Sequence, residues 1–392
     1  MNKPILSISI LISNHYENVK RCLDSVRPLM DAVSSELILT DTGVDERVRG
    51  LLEQYTDHII DFTWCQDFSA ARNVGLREAK GHWFLYIDDD EWFEDTKGIS
   101  DFLNSAEERS YNVAFYTQRN YLDFGGEHYI DHKVDRLLRI TPQLHFEHRV
   151  HEAYTGITIG QKKVLDCFVH HYGYIYANEQ EMLKKHNRNQ QLLELECKEH
   201  PNDMRMQYQL IMNQYETQDW DKAITYALSA IRQKSDSEFW DACHTSILYC
   251  LEKKQDWSSL IQYGEEFLKK KIYPFDRFGI LQFLITAYWN VGDRKKVCDL
   301  GSDALDLYTQ YKKDSSFFNR NQLMRTEFVE KENMTYMLIY MITAGLCLNC
   351  SDFITELSTG VTAADVAEIL AQPSIENWIA SQVNSYQING GI

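Results

Sequence analysis

Residues 67–93, "DFSAARNVGLREAKGHWFLYIDDDEWF", place a predicted helix, a predicted strand and a cluster of acids in direct succession. The first half opens with a capping Asp or Ser and closes at Gly81, which is typical of a helix. "HWFLYID" is an apolar run of the kind that forms a buried strand. Three aspartates and Glu91 follow this strand without a break. Such a cluster is either a hydrated acidic turn or a cation site, and the rest of the chain has to decide between them.

Residues 1–100 repeat this alternation of strand and helix. "ILSISILIS", "ELILTDTG" and "HIIDFTW" are strand-like, whereas "NVKRCLDSVRPLMDAV" and "DERVRGLLEQYTD" have helical spacing. Strands that alternate with helices predict an α/β domain with a largely parallel sheet covered on both faces. The segment from residue 111 to 174 is richer in strand-like runs and histidines.

The polar residues of this domain gather at the predicted strand ends. Ser13 and Asn14 follow the first strand, Asp41 ends the second, Asp67 follows the third, and Asp88–Glu91 follow the fourth. Ligands of open α/β sheets bind beyond the carboxyl ends of the strands. Aspartate at three separate strand ends therefore predicts a nucleotide site rather than a set of hydrated turns.

Two common phosphate-binding motifs are absent from the sequence. It has no GxGxxG fingerprint and no GxxxxGK[ST] loop, which disfavours a nicotinamide enzyme and a P-loop protein. Carboxylates cannot touch a diphosphate directly, but a divalent cation held by one or two of them can. We therefore expect Mg²⁺ or Mn²⁺, with substrate oxygens and waters completing the coordination shell.

From about residue 178 the sequence becomes helical and contains a weak repeat. Three segments align without gaps at a spacing of 37 residues, with an aspartate before a helix and a small residue eight positions later. The aligned residues are Asp219, Asp256 and Asp293, followed by Ala227, Gly264 and Gly301. The pattern predicts packed helical hairpins that resemble tetratricopeptide repeats. The alternative is an irregular helical bundle, and in either case the tryptophans of this region are expected to serve packing.

Composition and charge exclude several classes of protein. The formal net charge of −18 argues against nucleic acid or an anionic membrane as the main partner. The 9 cysteines are scattered, and Cys347 and Cys350 form a lone CxxC without the second pair that a zinc site needs. No apolar run reaches the ~18 residues of a membrane helix, and "ILSISILIS" lacks a cleavage site. We expect a cytoplasmic protein with reduced thiols and no integral membrane segment.

The motifs together resemble a known enzyme family. "SILISNHYENVKRCLDSV", "ELILTDTG", "DFSAARNVGLREAKGHWFLYIDDDEWF", "RLLRITPQLHFEHRVHE" and "VHHYGY" are similar, in this order, to blocks of family 2 glycosyltransferases with the GT-A fold. Within the family the chain most resembles the subgroup with a C-terminal tetratricopeptide-like extension, which includes sublancin-type peptide S-glycosyltransferases of bacteriocin pathways. The resemblance implies a GT-A nucleotide-sugar-binding domain in residues 1–177. An all-α repeat domain in residues 178–392 would bind the acceptor or mediate homodimerisation.

The resemblance also implies roles for the residues of the donor site. Ser13 and Asn14 would frame the nucleoside, and Asp41 would bind the uracil ring of a UDP-sugar. Asp67 would also lie at the base, and Arg72 is the arginine of the "FSAARN" motif.

The DxD motif of the family falls on "DDD". Asp88 would face the ribose or a metal-bound water, with Asp89 as its neighbour in the donor site. Asp90 would bind the metal ion, and His171 would complete the protein's share of the metal shell. The register Asp89 and Glu91 is the alternative.

Family membership implies transfer with inversion, in which an acceptor attacks the anomeric carbon as the nucleoside diphosphate leaves. The acceptor must lose a proton, and Glu152, His151 and Glu147 are the candidate bases, with Glu152 favoured. His148 stands where the family has a glycine, which would reshape the acceptor pocket. A thiol acceptor needs less help from a base than a hydroxyl.

The expected function is therefore a metal-dependent hexosyltransferase that acts on Cys or Ser/Thr of a bacteriocin-type peptide. Assembly of cell-surface polysaccharide or of a lipid-linked glycan remains open. A repeat scaffold that has lost catalysis is the non-enzymatic alternative, and the intact acidic motif argues against it. A nucleotidyltransferase would also use aspartates on an α/β sheet, but it usually needs a basic glycine-rich loop that is absent here.

Overall fold

A computed structural model describes residues 3–158, 160, 162–173, 175–176, 178–233, 236–318 and 327–388. The chain divides into two compact units, Met1–Glu196 and Cys197–Ile392. The sequence pattern placed the boundary at residue 177/178, where a long helix begins. Most of that helix belongs to the first unit, because Glu196 near its end accepts hydrogen bonds from the segment around Arg149.

The first unit alternates strands and helices over its first half and is mainly β-stranded afterwards. Its elements are β1 (Leu6–Ile12), α1 (Tyr16–Ala32), β2 (Ser35–Asp41), α2 (Glu46–Leu52), β3 (Ile59–Asp61), α3 (Phe68–Glu78), β4 (Trp83–Asp88), β5 (Glu91–Phe93), α4 (Lys97–Leu103), β6 (Val113–Tyr121), β7 (Tyr129–Arg139), β8 (His145–Glu147), β9 (Ala153–Thr155), β10 (Lys163–His171) and α5 (Glu179–Glu199), with a short 3₁₀ helix at Ala106–Ser110.

Eight of these strands form one mixed sheet in the order β3-β2-β1-β4-β7-β6-β10-β5. The first four strands in this order are parallel, as the alternation of strands and helices predicts. β7 runs antiparallel to β4 and β6, and β5 runs antiparallel to β10. β8 and β9 form a separate two-stranded ribbon. The GT-A type of architecture expected from the sequence is thus present in the first unit.

β1 lies at the centre of the parallel half and is covered on both faces. Ile8 and Ile10 are fully buried, and the intervening Ser9 is 3% exposed. Gly75 of α3 lies directly over Ser9, so a Cβ at position 75 would overlap the Ser9 hydroxyl. This close approach fixes α3 against the sheet next to the carboxyl ends of β1 and β4.

The secondary structure of the second unit is helical in the part that the structure describes. The last residues of α5 fall within it, and the helices that follow belong to it entirely. They are α6 (Met204–Asn213), α7 (Trp220–Ala230), α8 (Glu238–Lys253), α9 (Trp257–Leu268), α10 (Pro274–Asn290), α11 (Arg294–Lys313), α12 (Lys331–Cys347), α13 (Ser351–Thr359), α14 (Ala363–Leu370) and α15 (Pro373–Ile388), with 3₁₀ turns at Ser315–Phe317 and Glu327–Val329. Among the described residues, no helix is both long and apolar enough to span a membrane.

The repeat inferred from the sequence corresponds to a repeated helix start. Asp219, Asp256 and Asp293 are the N-caps of α7, α9 and α11, and each side chain accepts a hydrogen bond from the backbone N–H three residues later. The residue before each aspartate is left-handed, with φ of 54°, 55° and 89°. Ala227, Gly264 and Gly301 are buried against neighbouring helices, as the alignment predicts.

The CxxC pair has a place in this repeat. Cys350 is the N-cap of α13 and has φ −80° and ψ 78°, close to the values of the three capping aspartates. Asn349 before it is left-handed, with φ 48°. Cys350 therefore begins α13 with the backbone conformation of the capping aspartates, but its thiol makes no capping hydrogen bond.

Candidate active site

The carboxyl ends of β1, β2 and β4 meet at one edge of the sheet. In the parallel register Asp41 lies opposite Ile12, and Asp88 lies opposite Leu11. The backbone N–H of Ser13, one residue beyond β1, donates to Oδ2 of Asp89 at 2.6 Å. The sequence-predicted residues of these strand ends are thus brought together.

Asp88 lies between two arginines. Nη2 of Arg72, from α3, is 2.5 Å from Oδ1 of Asp88, and Nη2 of Arg136, from β7, is 3.0 Å from Oδ2. Burial alone would raise the pKa of Asp88, but the two guanidinium groups outweigh it and hold the pKa well below its ordinary value. Asp88 is therefore a permanently charged carboxylate whose two oxygens are both engaged.

Arg72 also joins the predicted base to this network. Its Nε donates to Oε1 of Glu152 at 2.7 Å. The ring of Tyr86 lies under both arginines, with the guanidinium carbons of Arg72 and Arg136 4.9 Å and 4.8 Å from its centroid. The Nη1 atom of each arginine is buried without a hydrogen-bond acceptor among the described residues. The aromatic face beneath them provides the compensating negative potential.

Asp89 and Glu91 have different surroundings. Burial, reinforced by the charge of Asp90, raises the pKa of Asp89 to about 7. Glu91 is 1% exposed, and burial likewise raises its pKa. Glu91 accepts the backbone N–H of Asp88 at 3.1 Å and the side-chain amide of Gln118. Glu91 therefore braces the acidic turn from behind.

Asp90 and His171 approach each other at the edge of the site. Oδ2 of Asp90 is 3.8 Å from Nε2 of His171, and the two side chains are 39% and 13% exposed. Nδ1 of His171 is 2.5 Å from Oδ1 of Asn120. Because an amide oxygen only accepts, Nδ1 of His171 donates to Asn120, and Nε2 is the ring nitrogen that faces Asp90. An imidazole nitrogen and a carboxylate oxygen that face each other at this distance can ligate one cation between them.

A glycine packs closely against this pair. A Cβ on Gly173 would overlap Nε2 of His171 and lie 3.1 Å from Oδ2 of Asp90. In the described part of the chain no three His, Cys, Asp or Glu side chains form a group that could hold a metal ion by themselves. One carboxylate and one oriented imidazole suit a cation that takes its remaining ligands from substrate and water.

Asp41 is engaged in its own turn. Its Oδ1 accepts the backbone N–H groups of Gly43 and Val44, both at 2.9 Å, and its Oδ2 accepts from Arg49 at 2.8 Å. Burial raises the pKa of Asp41, but these donors outweigh it and the net shift is downward. The Asn14 side chain nearby accepts the backbone N–H of Asp45 at 2.7 Å. The strand-end residues expected at the nucleoside thus form an ordered rim.

The "DFSAARN" motif organises the segment that carries the predicted base. Asp67 caps α3 through the backbone N–H of Ala70 at 2.8 Å. Ser69 donates to the carbonyl oxygen of His148 at 2.6 Å, and Asn73 forms two 2.8 Å hydrogen bonds with the backbone of Phe146. One helical turn therefore holds residues 146–152 against the acidic cluster.

The same segment contains two strained positions. His148 and His151 have φ of 74° and 55°, in the region that favours glycine. His148 keeps the backbone conformation that glycine adopts readily, and its Nδ1 lies 3.0 Å from Oε1 of Glu196 in α5. His151 is exposed, whereas Glu152 is partly buried in the arginine network.

Sequence reasoning missed several residues of this site. Arg136 belongs to no recognised motif. Its place among the apolar residues of "VDRLLR" could have indicated that the guanidinium is buried and paired with an acid. Asn120, Tyr86 and Gly173 have no sequence signal of their own, because their roles depend on distant partners. These partners are His171, Arg136 and Asp90, which lie 51, 50 and 83 positions away in the chain.

The sequence and fold match known proteins. Residues 7–168 match the family model described as glycosyl transferase family 2. A TPR repeat-containing protein of Synechococcus elongatus is 30% identical over 153 residues, which are 38% of this chain and 34% of that protein. The glycosyltransferase SunS of Bacillus subtilis and of its phage SPbeta is 26% identical over 198 residues, or 49% of this chain and 44% of SunS.

Two further similarities are weaker. The putative glycosyltransferase EpsH of Bacillus subtilis is 28% identical over 99 residues, or 24% of this chain and 28% of EpsH. The crystal structure of S. aureus TarS 1-349 aligns with 81% of this chain and 94% of that one at a TM-score of 0.33 and 13% identity, too loosely to support an argument. The chain thus spans less than half the length of the curated relatives. Its N-terminal unit is a glycosyltransferase domain of family 2, and a helical repeat domain follows it.

Proposed function

We propose that this chain is an inverting, metal-dependent glycosyltransferase that moves a hexose from a UDP-sugar to a peptide acceptor. The observation that carries the proposal is the pair formed by Asp90 and His171. The facing atoms Oδ2 of Asp90 and Nε2 of His171, with the imidazole oriented by Asn120, suit a divalent cation. When bound, such a cation would neutralise the diphosphate of the donor.

The carboxylate of Asp90 and the imidazole of His171 would give the cation one oxygen and one nitrogen ligand from the protein. Mg²⁺ prefers oxygen ligands throughout, whereas a carboxylate with an imidazole suits a softer cation better. We therefore expect Mn²⁺ to support activity better than Mg²⁺. Asp89 and the backbone of Ser13 would line the same edge of the sheet on the ribose side.

The rim around Asp41 would receive the uracil. Each carboxylate oxygen can accept more than one hydrogen bond, so the turn contacts of Asp41 leave capacity for the uracil N–H. Asn14 and Asp67 lie on exposed or half-buried positions of neighbouring loops and would contact the base.

Glu152 is proposed as the base that takes the proton of the acceptor. Its bond to Arg72 orients the carboxylate, and Arg72 in turn is held by Asp88. His151 follows as the second candidate, because it is exposed on the same segment. Arg72 would thus link donor binding at Asp88 to the position of the base.

A peptide acceptor is proposed from the resemblance to the sublancin-type subgroup, with Cys or Ser/Thr as the modified residue. The second unit, with its capped helical repeats, would bind the peptide or join two copies of the chain.

The first test is hydrolysis of a panel of UDP-sugars with Mg²⁺, with Mn²⁺ and with a chelator. We expect release of UDP, which Asp90→Ala abolishes and Glu152→Gln leaves measurable, because hydrolysis by water depends less on an acceptor base. Release of pyrophosphate would indicate a nucleotidyltransferase instead. Hydrolysis by Asp90→Ala equal to that of the unchanged protein would contradict the cation site.

The second test is intact-mass analysis of Cys- and Ser/Thr-containing peptides encoded beside this chain. A gain of one hexose supports the peptide acceptor, and resistance of the product to β-elimination would distinguish a Cys linkage from a Ser linkage. Transfer to a glycan or lipid-linked oligosaccharide, with no mass gain on any peptide, would replace the peptide with the polysaccharide alternative. Absence of hydrolysis and transfer with every donor would favour the scaffold.

A further inference from the structure

Helix α5 is fastened to the candidate site at both ends. Nζ of Lys185, in its second turn, donates to the carbonyl oxygen of Gly173 at 2.8 Å. Near the other end, Glu196 is 3% exposed and accepts the backbone N–H of Arg149 at 3.0 Å. Gly173 adjoins the Asp90–His171 pair, and Arg149 lies within residues 146–152, the segment that carries Glu152. The helix between these contacts therefore lies beside both.

Arg188 lies on this helix, one turn after Lys185. The carbon of its guanidinium is 5.2 Å from the ring centroid of Phe68, the first residue of α3. The backbone N–H of Phe68 donates to the carbonyl oxygen of Arg149 at 2.9 Å. The guanidinium thus lies over the point where α3 meets the base segment, and its side chain remains exposed to solvent.

The cations closest to the acidic cluster are already occupied. Arg72 is paired with Asp88 and Glu152, and Arg136 is paired with Asp88 and Glu91. Arg188, by contrast, donates to the side-chain oxygen of the adjacent Asn189, at 3.0 Å and 3.2 Å, and to no carboxylate among the described residues.

Arg188 interacts electrostatically with acids of the site but forms no ion pair with a carboxylate among the described residues. Partial burial of the guanidinium lowers the pKa of Arg188, while the carboxylates of Glu152 and Asp90 act in the opposite direction. The cluster holds five acidic side chains, Asp88, Asp89, Asp90, Glu91 and Glu152, against two paired arginines, and the raised pKa values of Asp89 and Glu91 reflect this excess of acids together with burial. A dianionic diphosphate that enters this field needs a cation that is not already bound to a carboxylate.

We propose that Arg188 of α5 binds the diphosphate of the nucleotide-sugar and offsets the charge that grows on it as the sugar leaves. This inference rests on the proposed function. In the transfer, the bond between the anomeric carbon and the β-phosphate oxygen breaks, and its electron pair stays on that oxygen. The acceptor forms the new bond to the anomeric carbon, and its proton passes to Glu152. Arg188 supplies two N–H donors and one positive charge to the departing oxygen's phosphate.

The test compares nucleotide binding by three variants in the full chain, measured by calorimetry with Mn²⁺ present. Arg188→Ala should weaken UDP binding about 10-fold, the size expected for one charge-assisted contact, and leave uridine binding unchanged. The UDP affinity of Arg188→Lys should lie between those of Arg188→Ala and the unchanged protein, because an ammonium keeps the positive charge but lacks the two parallel N–H donors of a guanidinium. Arg77→Ala removes an exposed arginine of α3 and should bind UDP like the unchanged protein.

The outcomes separate this inference from the proposed function. UDP binding by Arg188→Ala equal to that by Arg77→Ala, with both variants folded by circular dichroism, would overturn the role of Arg188 alone. Tight UDP binding with the expected Arg188 effect but no transfer to any acceptor would overturn the proposed transferase function and keep the diphosphate contact. Failure of the unchanged chain to bind any nucleoside diphosphate would overturn both.

Discussion

Nε2 of His171 and Oδ2 of Asp90 face each other across 3.8 Å, and Asn120 holds the other imidazole nitrogen. His171 comes from β10 and Asp90 from the turn after β4, so the sheet brings them together from 81 positions apart in the chain. At this distance the pair makes no direct hydrogen bond.

Loss of either partner should remove cation binding. Asp90→Asn and His171→Gln should each lower Mn²⁺ affinity and UDP-sugar hydrolysis by about 100-fold or more, because each removes one of two protein ligands. Electron paramagnetic resonance of added Mn²⁺ measures the affinity directly. Asp101→Asn, which removes an exposed acid of α4, is the matched control and should bind Mn²⁺ normally.

Asn120 should act through His171. Asn120→Ala removes the acceptor that fixes the imidazole tautomer, so Mn²⁺ affinity should fall by about 10- to 100-fold. The fold should remain, and the pH profile of hydrolysis should change because His171 is no longer held in one orientation. An unchanged Mn²⁺ affinity in a folded Asn120→Ala protein would mean that Asn120 only fills space.

Gly173 should be intolerant of any side chain. Gly173→Ala places a Cβ against Nε2 of His171 and near Asp90, so cation-dependent hydrolysis should fall by more than about 10-fold while the thermal midpoint changes little. Gly50→Ala is the control, since nothing lies within 4 Å of a Cβ there and a helical alanine stabilises by about 0.5–1 kcal/mol. Equal activity of the two variants would argue that the space beside His171 is unused.

Asp88 should matter for stability as well as activity. Asp88→Ala leaves two largely buried guanidinium groups without their shared carboxylate, which we expect to lower the free energy of unfolding by about 2 kcal/mol. The figure allows for the 32% exposure of the Asp88 side chain. Urea unfolding measures it. A silent Asp88→Ala substitution would instead favour the register in which Asp89 and Glu91 form the DxD pair.

His244 should make the second unit sensitive to acid. It is 2% exposed, its ring centroid lies 3.8 Å from that of Phe267, and burial, with help from Lys270, lowers its pKa to about 3. At pH 5 the unfolded chain binds a proton that the folded chain does not, so the stabilisation is complete above pH 6.5 and lost as pH falls toward 3. Between pH 7.5 and 5 the loss should be about 2 kcal/mol.

The comparison with His244→Phe isolates this contribution. The variant keeps an aromatic ring in contact with Phe267 and removes the titration, so its urea midpoint should depend less on pH than that of the unchanged protein. An identical pH dependence of the two proteins would show that acid acts elsewhere.

Local sequence determined the elements of the first unit and the caps of the second. Apolar runs and helical spacing depend only on neighbouring residues, so the alternation in residues 1–100 and the capping aspartates at 219, 256 and 293 were predictable. The convergence of Asp41, Asp88 and Ser13 was predictable as well, because parallel strands end at one edge of a sheet.

The family motif indicated the acids of "IDDDE", but their division of labour came from tertiary contacts. Only packing decided that Asp88 would be held by arginines from α3 and β7 and that Glu91 would brace the turn, whereas the resemblance already implied that Asp90 and His171 share a metal site. The first unit extends to Glu196 of α5 for the same reason, since Glu196 contacts His148 and Arg149, 48 and 47 positions earlier, which no local pattern links to it. Composition and periodicity record what each residue prefers, whereas a site depends on which distant residues the sheet places side by side.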